Sequence, residues 1–188
     1  MPAARTEDPF VATIRLVLAV ARRTDRRVAL IGGFALPFHG VQRATGDVDF
    51  LVEARAAVPL HDALLAAGAR CLHRSADAAN YGPGRSGLAA VDFIIARRPR
   101  ARAMLVRARS RLLRGAKLRV PVVDAEGLIA LKLQGVANDP RRVQDEADIE
   151  ALFDARAASL DVDLLRDYFR LFDREPDLDR LLAGAAKG

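Results

Sequence analysis

Apolar residues recur over the first part of the chain with helical spacing: Phe10, Ile14, Val17, Leu18 and Ala21 predict an amphipathic helix over residues 8–23. Arg27-Val-Ala-Leu-Ile31 then reads as a first strand, and Gly32-Gly33 opens a short helix around Phe34 to His39. From Arg43 to Asp49 every second residue is polar and Phe50-Leu51-Val52 follows, which predicts a second strand over Asp47–Glu53. A helix over Pro59–Ala67 ends at Gly68, and Ala69–Arg74 reads as a third strand. Residues 75–87 have turn chemistry throughout and predict a hairpin-like loop. Leu88–Ala96 is a continuous apolar strand interrupted by Asp92. Arg100–Arg109 reads as helix and Lys117–Val123 as strand, and Asp124 caps a helix carrying Leu128, Leu131 and Lys132. Asn138-Asp139-Pro140 predicts the cap of the next helix with proline at its first position. Residues 141–183 read as helical, with breaks near Leu160-Asp161 and at Pro176. The expected fold is α/β: a small mixed sheet flanked by helices in a core over residues 1–123, with a helical C-terminal part, 124–188, packed on it as one compact unit.

The second strand changes the picture from fold to chemistry. Alternation puts Asp47 and Asp49 on one face, and two neighbouring carboxylates each resist ionisation beside the other. A divalent cation between them removes that conflict. Asp92, in an otherwise apolar strand, is a third costly acid that a shared metal explains. Metal ions about 3.5 to 4 Å apart clamp the attacking and leaving oxygens of an in-line displacement. The Gly32-Gly33 turn supplies a backbone that can approach a phosphate, with N–H groups at a helix start to meet it. It is no dinucleotide fingerprint, because Leu36 stands where the third glycine belongs. Arg43 and Thr45 share the carboxylates' expected face and either position a phosphate or one Asp, or lie at the surface.

The same residues carry a resemblance. The Gly-Gly turn, a gap of about a dozen residues, the Asp-x-Asp pair and a later Asp together resemble the DNA-polymerase-beta-like nucleotidyltransferase superfamily. The wording Gly32-Gly33-Phe34-Ala35-Leu36, His39-Gly40 and Arg43-x-Thr45-x-Asp47-x-Asp49 is most similar to AbiEii-type toxin nucleotidyltransferases and to small antibiotic nucleotidyltransferases. Leu128-Ile-Ala-Leu-Lys132-Leu and Arg142-x-x-Asp145-x-x-Asp148-Ile149 match later segments of that group. The resemblance implies transfer of an NMP from an NTP with release of pyrophosphate and Mg²⁺ or Mn²⁺ held by Asp47, Asp49 and Asp92. It further implies that Asp92 orients or deprotonates the acceptor, and that Gly32, Gly33, Arg43, Thr45 and Lys132 bind the nucleotide, with Asp145 a further candidate. It implies a toxin acting on RNA, tRNA above all, with an antitoxin partner; the alternatives are a small-molecule antibiotic as acceptor, or a catalytically idle nucleotide- or RNA-binding module.

Read without it, Lys132 lies on or beside an apolar stripe, where a lysine usually snorkels to solvent, and Arg141 and Asp145 are spaced i,i+4. His39, His61 and His73 lack metal-ligand spacing, and Cys71 reads as a core thiol. Charge refines the partner. The chain of 188 residues is +6 overall, yet residues 97–119 hold ten bases and no acid, leaving twenty bases against twenty-four acids elsewhere. That segment is either a polyanion contact or a solvated face of a chain with 27 Arg and three Lys. One cysteine, no secretory pattern at Met1–Asp8 and no membrane-length apolar run predict a cytoplasmic protein with no membrane partner.

Overall fold

The alternating strand read around the acids is one of seven that form a single sheet. The computed structural model of the chain describes residues 7–85 and 87–185. They fall into two compact units, one comprising the chain up to Phe34 with Ala44–Val123, the other Ala35–Arg43 with the chain from Asp124 onward. The first unit holds strands β1 (Val28–Ile31), β2 (Asp47–Glu53), β3 (Arg70–Arg74), β4 (Ala78–Gly82), β5 (Ala90–Ala96), β6 (Arg109–Leu113) and β7 (Leu118–Val122). Their spatial order is β3-β4-β5-β2-β1-β7-β6. β2 runs parallel to β5 and β1 parallel to β7, while the remaining neighbours are antiparallel.

The two faces of β2 and β5 differ because side chains alternate. Val48, Phe50 and Val52 of β2, Val91, Phe93 and Ile95 of β5, and Ala79 and Tyr81 of β4 are buried together on one face. Phe93 touches Phe50 edge-on, centroids 6.5 Å apart, and Tyr81 at 5.6 Å. Each such side chain contributes about 1.5–3 kcal/mol of burial. Asp47, Asp49, Asp92 and Asn80 occupy the alternate positions. Helix α1 (Pro9–Arg23) starts where Asp8 Oδ1 accepts the N–H of Phe10 at 2.8 Å, and it buries Ile14, Val17 and Leu18. α2 (Gly32–Ala35), α3 (Ala57–Ala66) and α4 (Pro99–Arg107) complete the order in this part of the chain.

The second unit contains a 3-10 turn, Leu36–His39, and helices α5 (Ala125–Asn138), α6 (Val143–Arg156), α7 (Val162–Arg170) and α8 (Glu175–Ala185). Asp124 caps α5 by accepting the Gly127 N–H at 2.9 Å. Leu128, Leu133, Ile149, Leu152, Phe153, Leu165, Phe169 and Leu178 form its core. No described helix is long and apolar enough to cross a membrane.

Four local expectations are corrected. Turn chemistry in residues 75–87 holds at the hairpin tip, where Ser75 Oγ accepts the N–H groups of Asp77 and Ala78, and again at residues 83–85 and 87; Ala78–Gly82 between them is strand because β3 and β5 offer backbone partners on both sides. The basic helix stops at Arg107, where Ala108 turns extended, and Arg109–Leu113 pairs with β7 as an edge strand. Pro140 does not open α6, which starts at Val143, since Asn138 is the last residue of α5 and Asp139 instead accepts the Arg141 N–H. Pro176 sits inside the first turn of α8 rather than at a break; the break falls at residues 171–174.

Candidate active site

β1 delivers the chain to Gly32 beside the acid strand, because Ile31 pairs with Asp49 across β1 and β2. Gly32 is left-handed, φ +61°, and a Cβ there would lie 1.8 Å from Asp49 Oδ2. Only glycine fits. A Cβ on Gly33 would lie 2.6 Å from Thr45 Cβ. The turn therefore presses its bare backbone against both Asp49 and Thr45.

In the parallel β2/β5 pair Asp49 stands directly opposite Asp92. One carboxylate oxygen from each of Asp47, Asp49 and Asp92 lies within 4.8 Å of the others, and all three residues are half-buried. Thr45 Oγ donates to Asp47 Oδ1 at 2.9 Å. Asp92 faces Asn80 in the β4/β5 ladder, which places the Asn80 amide beside its carboxylate. Burial pushes the Asp92 carboxyl above its ordinary value and the charge of Asp47 adds to this, while the Asn80 bond opposes it. Three half-buried carboxylates form a set of hard oxygen donors that fits Mg²⁺ or Mn²⁺. Asn80 was missed in the sequence because the Ser, Asp, Gly and Pro around it read as loop. Its signal was present in Ala79-Asn80-Tyr81, one polar residue between two that become buried.

The structure brings Gly32, Gly33, Thr45, Asp47, Asp49 and Asp92 together in the first unit. Arg43, Lys132 and Asp145 gather in the second. Lys132 Nζ donates to Asp145 Oδ1 at 3.0 Å and to Asp148 Oδ2 at 2.5 Å; Arg43 Nη1 also donates to Asp148 Oδ2, at 2.5 Å, and Gln144 Nε2 donates to Asp148 Oδ1 at 3.2 Å. Arg142 Nε reaches Asp145 Oδ2 at 2.8 Å. Burial raises the Asp148 carboxyl, but Lys132, Gln144 and Arg43 outweigh it and hold it below the ordinary value. Lys132 does not snorkel: its side chain is 8% exposed, because two buried acids meet it inside. Arg43 is not on the acid strand, which begins at Asp47. Arg141 pairs with Asp139, not Asp145, since it precedes α6.

His61 Nδ1 lies 3.0 Å from the Tyr81 hydroxyl and His39 is buried. Cys71 is not a core thiol but half-buried on β3, the last strand of the sheet.

No family model and no curated protein matches the chain. Solved structures do. The antibiotic-resistance factor ANT(2'')-Ia, studied in solution, superposes with a TM-score of 0.61 at 17% identity, over 90% of this chain and 95% of that one. Its crystal form with adenylyl-2''-tobramycin gives 0.60 at 14% identity, over 87% and 96%. An antigenic nucleotidyltransferase-like protein from Paracoccidioides brasiliensis gives 0.55 at 16% identity, over 95% and 94%. With its mixed sheet and flanking helices, the chain has the nucleotidyltransferase fold.

Proposed function

We propose that this protein is a metal-dependent nucleotidyltransferase, which moves an NMP from an NTP to an acceptor and releases pyrophosphate. The observation that carries the reading is the convergence of Asp47, Asp49 and Asp92 on one sheet face, against a glycine turn that no other residue could make. A binding module has no need of three acids that repel one another at half-buried positions. Bound Mg²⁺ or Mn²⁺ supplies Lewis acidity and charge neutralisation at the phosphoryl group. Asp47 and Asp49 hold the cations. Asp92 joins them and orients or deprotonates the acceptor. Backbone N–H groups of Gly32 and Gly33 cradle the β- and γ-phosphates, and Thr45 steadies Asp47. Arg43 and Lys132 belong to the triphosphate contacts in this reading, and Asp145 holds Lys132. In support, Arg43, Lys132 and Arg142 are three cations that Asp145 and Asp148 gather into one cluster. Catalysis on this reading is positioning plus electrostatic stabilisation.

The acceptor we favour is RNA, tRNA first, in a cytoplasmic toxin countered by an antitoxin, closest to the AbiEii type. In support, nine of the ten bases between Arg97 and Arg119 are exposed and Arg107 is half-buried. β6 is three strands from β2, about 14 Å at the usual strand spacing, a distance that several nucleotides span. The second reading, a small-molecule acceptor, is favoured by the near-complete coverage of ANT(2'')-Ia.

Incubation with each α-labelled NTP and either total tRNA or an aminoglycoside panel decides. RNA labelling should weaken with salt at a slope of about 0.7–0.9 per phosphate contact and fall in Arg109→Glu/Arg111→Glu. Label on a small molecule, unmoved by those reversals, rejects the toxin. Label on neither acceptor, with any NTP, rejects the transferase.

A further inference from the structure

The register that aligns the acids continues one strand beyond them. Asp49 stands opposite Asp92, and Asp92 opposite Asn80. Directly opposed residues share a face, with Cβ atoms about 4.5–5.5 Å apart. Asn80 thus stands on the carboxylate face while its chain neighbours Ala79 and Tyr81 are buried on the other. An ionised carboxylate only accepts, so a hydrogen bond between these directly opposed side chains runs from the Asn80 amide N–H to an Asp92 oxygen. Such a bond restricts rotation of a carboxylate about its Cβ–Cγ bond. Each of the other two acids has a comparable constraint: Thr45 Oγ holds Asp47, and the Gly32 backbone confines Asp49.

We propose that Asn80 is a positioning residue, whose side-chain amide fixes the orientation in which Asp92 meets a divalent cation shared with Asp47 and Asp49. The inference rests on the metal-dependent reading of the site. It assigns a purpose to a polar residue that serves no purpose in the core. A residue oriented by a neighbour's hydrogen bond binds metal better than one free to rotate, and loss of such a partner typically costs about 10–100-fold in metal affinity.

The test compares wild type, Asn80→Leu, which keeps the volume and loses the donor, and Asn80→Gln, which keeps the amide. Mn²⁺ binding is measured by calorimetry and melting in EDTA. Asn80→Leu is expected to melt near wild type without metal yet to bind Mn²⁺ about 10–100-fold more weakly, with kcat reduced and KM for the NTP held. Asn80→Gln should recover part of the affinity. If the leucine variant unfolds, Asn80→Ala should show the same loss. Wild-type Mn²⁺ affinity in the folded donor-less variant overturns the positioning role alone. A wild type that binds no Mn²⁺ overturns the metal site, and this role with it.

Discussion

Gly32→Ala adds a single methyl group where the structure leaves no room. The new Cβ would fall 1.8 Å from Asp49 Oδ2, and real contacts below 3.0 Å are essentially unknown. The carboxylate must therefore retreat by at least about 1.2 Å, the difference between those distances. In addition φ at this residue is +61°, and an alanine held there costs about 1–2 kcal/mol. For a chain of this size that cost lowers the melting temperature by about 2–8 °C. The functional effect should exceed the structural one, because a misplacement of about 1 Å in a catalytic group costs on the order of 100-fold in rate. Melting curves in EDTA and in Mn²⁺ separate the two: the variant should lose the metal-induced rise that the wild type shows. Gly46→Ala is the control, since no described atom lies within 4 Å of a Cβ there, and it should keep the rise. If Gly32→Ala keeps the full Mn²⁺ response and melts with the wild type, Asp49 is not where the metal binds.

Lys132→Met strands two buried acids, but Asp148 keeps Arg43 and Gln144, and Asp145 keeps Arg142; the loss should sit near the low end of such cases, about 3 kcal/mol by urea denaturation, and a loss under about 1 kcal/mol would show that the arginines suffice. The Asp148 carboxyl is held below its ordinary value of 3.8, so its contribution to stability is present above that value and is lost as pH falls through the lower folded-state value; Asp148→Asn should flatten the loss of stability below about pH 4, and an unchanged acid limb would contradict the assignment. Asp92 has the opposite sign: its raised value means the folded protein keeps this proton longer, so the group favours folding at low pH and that advantage fades as pH climbs from 3.8 through the raised value. Asp92→Asn should therefore melt above wild type at pH 7 without metal, yet release no pyrophosphate with an NTP and acceptor; wild-type turnover in it would remove Asp92 from the chemistry.

The sheet's central acids were legible because every second residue from Arg43 to Asp49 is polar, and because a lone acid in Leu88–Ala96 has few structural explanations. The same logic failed one strand away. In β4 the polar residue that matters sits among Ser, Asp, Gly and Pro, whose local preference is for turns, and only the ladders to β3 and β5 make it strand. β6 was hidden for a different reason: as an edge strand, its arginines face solvent and leave no apolar pattern. Lys132 shows the limit of reading one helix by itself. Its apolar neighbours predicted an amine escaping to water, whereas Asp145 and Asp148, more than a dozen residues later, return to meet it.

The core is also what specifies the site. A shift of one residue in the β2/β5 ladder would flip every side chain to the opposite face, burying Asp49 where Phe50 lies and exposing Phe50 where Asp49 lies. The acids cannot choose this register themselves, since they repel, and their pairing across the ladder opposes it. Phe50 and Phe93 disfavour such a shift: placed opposite one another in the ladder and in edge contact at 6.5 Å, they are both buried on the face away from the acids. The cost of holding three carboxylates together is thus offset on the reverse side of the same two strands. Trimming Phe93 would loosen the register as well as the core, and the geometry of Asp49 against Asp92 depends on residues that never touch a substrate.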